Sequence, residues 1–223
     1  MWVESKFLGN KRQWFIGFKR IASTTNERTF ISTLLPFCGV GDSAFLMLAN
    51  FKSASAASCL LANLNCLPFD FLVRQKVSGL NLSYFIVKQL PVLVPEVYTQ
   101  ADTDFIAPRV LELVYTAHDM QPFALDMGYN GAPWVWNPDR RAILRAELDA
   151  YYAHLYGLTR DELRYILDPA DIHGSDFPSE TFRVLKNNET KKYGEYRTQR
   201  LVLEAWDQMF EAKTQKTYRK QAA

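Results

Sequence analysis

Between residues 96 and 104 the sequence changes its period, and that change limits the folds open to it. Before it, short aromatic and β-branched runs alternate with turn chemistry. WFIGFKRIA (14–22), RTFISTLLPF (28–37) and SAFLMLANF (43–51) have the length and composition of strands. TTNE (24–27) separates the first pair, and Gly39 and Gly41 mark the next turn. SASAASCLLANLN (53–65) sets Ser and Ala ahead of a Cys59, Leu60, Leu61, Leu64 face, which predicts a serine-started helix. Pro68 opens a second helical stretch. SGLN (78–81) is a turn. LSYFIVKQLPVLVP (82–95) begins as a strand and ends extended, because Pro91 and Pro95 cannot continue a ladder.

Beyond the change the pattern is helical. Ile106, Val110, Leu113 and Val114 recur at helical spacing within 102–119. Residues 121–136 hold two prolines and two glycines and predict a loop. Asn137-Pro138 is an N-cap followed by proline at the first helical position; Ile143, Leu144, Leu148, Tyr151, Tyr152 and Leu155 lie on one side, and Gly157 stops the helix. Thr159 and Glu162 make a capping box, and Asp168-Pro169 ends the helix it starts. Pro178-Ser179 begins another helix. A last one spans about 194–212 on a Val202, Ala205, Trp206, Met209 stripe, before a basic tail at 213–223. Together these predict an α+β fold: a mixed strand and helix module over 1–100 and a helical subdomain over 101–223.

Composition narrows the function classes. Hydrophobic residues make up 48% and charged residues 22%, an ordinary globular balance. No apolar run reaches the roughly 18–20 residues of a membrane span, and the first residues lack the apolar core of a signal peptide. A cytoplasmic protein is expected. Cys38, Cys59 and Cys66 are not in metal-type pairs and read as free, buried thiols. No glycine-rich nucleotide cradle, nucleophile elbow or paired-histidine motif occurs. His118, His154 and His173 stand alone, and Asp168, Asp171 and Asp176 surround a turn, where capping explains them better than metal binding. Neither a catalytic residue nor a metal site is expected.

What remains is a binding pattern. Residues 1–100 hold ten Lys and Arg against five Asp and Glu, whereas residues 101–223 hold sixteen against nineteen. A basic first half suits a polyanion. KRQWFIGFKRIASTTNERT (11–29) interleaves five basic residues with three aromatics. Strand alternation puts Lys19 and Ile21 on one face, Phe18 and Arg20 on the other. Lys and Arg neutralise phosphates, while Arg and Asn read guanine and adenine edges. A strand edge kept soluble by its charges is the alternative. Trp14, Phe15 and Phe18 are assigned to the core, as are Tyr151, Tyr152 and Trp206. Trp134 and Trp136 are candidates for exposed aromatics, with loop packing as the alternative.

WFIGFKRIASTTNERTFISTLLPFCGVG (14–41) and VRQKVSGLNLSYFIVKQLPVLVP (73–95) resemble the target-recognition region of large N6-adenine DNA methyltransferases of the type IIG-like restriction–modification kind. The stretch 144–207, LRAELDAYYAHLYGLTRDELRYIL onward, resembles the C-terminus of the same family. The resemblance implies sequence-specific recognition of double-stranded DNA in a phage-defence system. It also implies that the catalytic domain, with its Asn-Pro-Pro-Tyr type motif and its S-adenosylmethionine loop, lies outside this chain. The chain is then no enzyme by itself, holds no cofactor, and works with a methyltransferase catalytic domain or subunit. Lys19, Arg20, Asn26, Arg28, Arg74, Lys76 and Asn81 are the expected DNA contacts, the Lys and Arg mainly on phosphate, Asn26 and Arg28 as base readers. Two other functions stay open: a protein-interaction module docking a separate methyltransferase or nuclease subunit, and part of an active S-adenosylmethionine-dependent methyltransferase.

Overall fold

The computed structural model describes residues 12–23, 25–77, 79–178 and 181–211. Thr24, Ser78 and Ser179, the basic Lys11 and the tail at 213–223 therefore lie outside the described residues. Three strands, β1 (Trp14–Lys19), β2 (Ser32–Pro36) and β3 (Ala44–Met47), form an antiparallel sheet in the order β2-β1-β3. Pairing sets Ile16 opposite both Leu34 and Met47, and Gly17 opposite Thr33 and Leu46. The period of two then sorts the side chains. Trp14, Ile16, Phe18 and Leu34 turn into the core, while Lys19, Ile31 and Thr33 stay exposed on the opposite face.

Helices follow: α1 (Ala54–Asn65), α2 (Leu67–Lys76), α3 (Tyr84–Val87), α4 (Gln100–Val114), α5 (Gln121–Asp126), α6 (Pro138–Leu155), α7 (Arg160–Leu167), α8 (Ala170–His173), α9 (Arg183–Tyr193) and α10 (Arg197–Trp206). With the sheet they make the expected α+β fold. The caps read from the sequence are present. Ser53 accepts from the Ala56 amide, Asn137 from the Asp139 and Arg140 amides, and Thr159 and Glu162 close a reciprocal box. Gly157 takes φ +76° after α6, a left-handed conformation that glycine adopts without strain.

Four expectations need correction. The strand expected from residue 82 is the short helix α3, because Ser83 caps it, and its Tyr84 ring stacks on Phe45 at 4.5 Å. The loop expected over 121–136 begins with α5, whose Phe123 meets the Trp14 ring edge-on at 5.1 Å. The helix expected from 179 starts at Arg183, after the buried Phe182. Cys38 is exposed, not buried, whereas Cys59 and Cys66 are buried. Burial pushes the Cys59 thiol up to about 11 and Cys66 up as well, so neither offers a thiolate at neutral pH.

Packing also revises the two-part division. One hydrophobic cluster joins the sheet, α1, α2, α4 and α5, and reaches Leu148 and Tyr152 of α6. A second takes Ala146, Ala150 and Ala153 on another side of α6 with α7, α10 and Phe182. Residue 100 thus separates strand-bearing from helical sequence but not one core from the other. α6 serves both, and this places its cationic face beside the sheet. No single helix among the described residues is long and apolar enough to cross a membrane.

Candidate nucleic-acid interface

A cleft of about 510 Å³ opens where the loop between β1 and β2 approaches α4 and α6. Its apolar floor includes Leu61, Val110, Val114 and Leu148. Four cations line it: Lys19 at the end of β1, Arg28 in the loop, and Arg141 and Arg145 on α6. Glu27 and Asp149 are its acidic members, and Asn26 stands at its edge with an exposed side chain. A second cleft of about 260 Å³ shares Glu27, Arg28, Arg145 and Asp149, then continues to Lys192 and Arg197. Arg28 and Arg145 therefore belong to both, and the basic lining extends from the sheet towards α9 and α10.

The loop that carries Asn26 and Arg28 is held from beneath by a buried ion pair. Asp70 is 1% exposed and accepts from the Thr29 amide at 2.9 Å, the Phe30 amide at 2.7 Å and Arg74 Nε at 3.1 Å. Arg74 donates to the Asn26 and Glu27 carbonyls at 2.9 and 3.0 Å and to the Thr181 carbonyl, and it lies over the Phe182 ring. Its side chain is 4% exposed. Arg74 is thus a fastener for the loop and does not present its guanidinium to solvent. The expectation that it holds phosphate is corrected on that ground. Sequence distance hides this, because the carbonyls it binds lie 47 and 48 residues away.

Arg28 is half committed. Its Nη2 meets Asp149 at 3.3 Å, and Nη1 reaches the Asn65 carbonyl at 3.5 Å. Asp149 is itself buried and accepts from the Leu67 amide at 2.7 Å. Burial works against charge on Arg28, but the carboxylates of Asp149 and Asp70 outweigh it, so its pKa is raised and it stays a cation.

The α6 cations stand differently. Arg141 and Arg145 are four residues apart and so share a helix face. Arg141 donates through Nη1 to the Leu113 carbonyl at 2.7 Å, its buried Nε has no acceptor among the described residues, and its guanidinium lies 3.7 Å from the Trp136 ring centre. Arg145 is exposed, and its Nε makes only a long bond, 3.4 Å, to the Arg141 carbonyl. Neither has a carboxylate within ion-pair distance among the described residues. Burial, then the like charge of Arg145, lowers the Arg141 pKa; the crowding of protein atoms around the cleft, then the like charge of Arg28, lowers that of Arg145 although its side chain still reaches solvent, and Asp149, Glu189 and Glu27 act against the shift. Two cleft cations, Arg141 and Arg145, thus carry charge that no carboxylate pairs at contact distance among the described residues, and an anion there would relieve it.

Of the sequence-predicted residues, Lys19, Asn26 and Arg28 come together at this cleft. Arg20 turns to the other face of the sheet and pairs with Asp42 beside the Phe45 ring. Lys76 is exposed at the end of α2, and Asn81 is exposed in a bridge opposite Ile21. None of these three lines the cleft. Sequence reasoning missed Arg141 and Arg145, although their i, i+4 spacing just inside the Asn137 cap was there to read. Among the described residues no group of three His, Cys, Asp or Glu side chains is placed to hold a metal ion. His154 is exposed and stacks on Phe210 at 4.1 Å, and Asp168 accepts from the Ala170 amide and from Lys186. Comparison with protein-family models, curated proteins and solved structures finds no match for this chain.

Proposed function

We propose that the chain recognises double-stranded DNA as the specificity part of an adenine-specific DNA methyltransferase in a restriction–modification system. The observation that carries this reading is the gathering of Lys19, Arg28, Arg141 and Arg145 around one cleft, with the Asn26 side chain exposed beside them. Lys19, Arg141 and Arg145 have no carboxylate within ion-pair distance among the described residues and suit phosphate oxygens, Arg28 is shared with Asp149, and an asparagine at the same edge suits readout of adenine. The sequence resemblance of 14–41, 73–95 and 144–207 to the target-recognition family supplies the remainder of the proposal. In this reading the site is cytoplasmic, and the chain binds without catalysing. The methyl donor and the transfer chemistry belong to a catalytic domain or subunit that acts beside it. A cleft lined by four cations is a poor seat for the sulfonium of S-adenosylmethionine, so no transfer step is placed here.

The test is binding of the purified chain to random-sequence duplex DNA across a salt series, with Arg20→Ala, Arg28→Ala and Lys19→Ala alongside. Affinity should fall steeply with salt, and Lys19→Ala should weaken it more than Arg20→Ala, which removes a residue already paired with Asp42. No binding at low salt would overturn the proposal and favour a module that docks a protein subunit.

A further inference from the structure

The loop between α5 and α6 treats its two tryptophans in opposite ways. Trp134 fixes the loop: its ring stacks on Tyr129 at 4.4 Å, meets Tyr115 edge-on at 6.2 Å, and its amide donates to the Tyr115 carbonyl at 2.9 Å. Trp136 takes no part in that packing and is 60% exposed, next to Val135 at 91%. An indole left to solvent costs hydrophobic free energy, and here a neighbour holds it in place. Arg141 covers the ring at 3.7 Å and is anchored in turn by the Leu113 carbonyl, while Asn137 caps the helix between them. Arg141 also lines the basic cleft, and Arg145 follows it by one helical turn. A cleft of about 510 Å³ is within the range of roughly 300–1,000 Å³ typical of small-molecule sites, room for a single nucleotide within a rim that a duplex could lie across.

We propose that Trp136 and Arg141 form a stacking platform for one unpaired nucleotide, the base lying on the exposed indole and the phosphate on Arg145 at the cleft rim. An indole backed by a guanidinium presents a rigid π surface, and base–aromatic stacking tolerates any base. Cations without carboxylate partners one turn away match the phosphate of the same nucleotide. The inference deepens the DNA-binding reading: strands opened or ended near the recognised duplex supply such a nucleotide.

The experiment uses the full chain with a fluorescent oligothymidine and with an abasic strand of equal length, which keeps the phosphates and removes the bases. Trp136→Ala should weaken oligothymidine binding by about five- to a hundredfold, the range that base–aromatic stacking gives on alanine substitution. Trp136→Phe should keep most of the affinity. The abasic strand should bind the wild-type chain weakly, and Trp136→Ala should not weaken it further. The thermal midpoint should stay unchanged, because the ring is outside both cores. Oligothymidine binding that ignores Trp136→Ala, an abasic strand bound as tightly as oligothymidine, or no single-strand binding at all overturns the platform. Duplex binding is read separately. A chain that binds duplex but ignores Trp136→Ala loses the platform and keeps the proposed function. A chain that binds only single strands through Trp136 does the reverse.

Discussion

Two sets of arginines in this molecule share a residue type and differ in what surrounds them. Beneath the loop between β1 and β2, Arg74 meets Asp70 and Arg28 meets Asp149, and both carboxylates are buried. Along α6, Arg141 and Arg145 donate to carbonyls and lie in the field of Arg145 and Arg28 respectively, with no carboxylate within ion-pair distance among the described residues, although Asp149, Glu189 and Glu27 act on Arg145 from farther off. The first set holds the loop against α2 and α6. The second leaves positive charge unanswered at the cleft. Charge counting along the chain misses this, because a buried pair adds as much Lys and Arg to the total as an open cation does.

Asp70→Ala removes the acceptor for two loop amides and leaves the buried Arg74 without its carboxylate, its charge facing only carbonyls and the Phe182 ring. Breaking such a pair costs about 3–5 kcal/mol, so the denaturant midpoint should fall far, and an unchanged midpoint would break the assignment of this pair to the loop. Arg28→Ala should cost less, about 1–3 kcal/mol, because Asp149 keeps the Leu67 amide. It should also weaken duplex binding, since Arg28 lines the cleft as well. Arg145→Ala should leave stability within roughly 0.5 kcal/mol of wild type, as substitutions away from buried partners do. A large loss there would erase the distinction.

The smallest effect is in acid. Arg140, the neighbour of Arg141, turns outward and holds Glu112 through two hydrogen bonds of 2.8 and 2.9 Å. Those bonds, from a guanidinium, keep the Glu112 carboxyl below its usual 4.5. A depressed folded pKa means that the pair stabilises above the unfolded value and that this contribution fades as pH falls below about 4.5. Glu112→Gln should flatten the pH dependence of the thermal midpoint there, and an unaltered profile would show that the pair adds nothing.

Much of the helical half was legible because its signals are local. A cap such as Asn137-Pro138 or the Thr159–Glu162 box needs only its own few residues. The three strands were legible for the same reason, and Trp14, Phe15 and Phe18 are buried as expected. Most of what failed depended on distant partners. LSYFIV carries strand residues and its local Ser83 cap was overlooked, while the Phe45 ring that Tyr84 stacks on is far away in sequence. Arg74 looks like an open cation until its carbonyl partners from the loop are known. Arg141 and Arg145 were overlooked because they lie in the acidic half of the chain, where net charge conceals a local cationic face. Lys19, Asn26 and Arg28 were legible as candidates, but only the fold brings them to α6.

The most direct test of the α6 face is the salt slope of duplex binding for Arg145→Ala beside the wild-type chain. If Arg145 holds a phosphate, the fold is unchanged, binding is weaker, and the log–log slope is shallower by about one, the signature of one lost phosphate contact. Equal affinity and an equal slope would contradict it, and the unpaired cations of the cleft would then have no part in holding DNA.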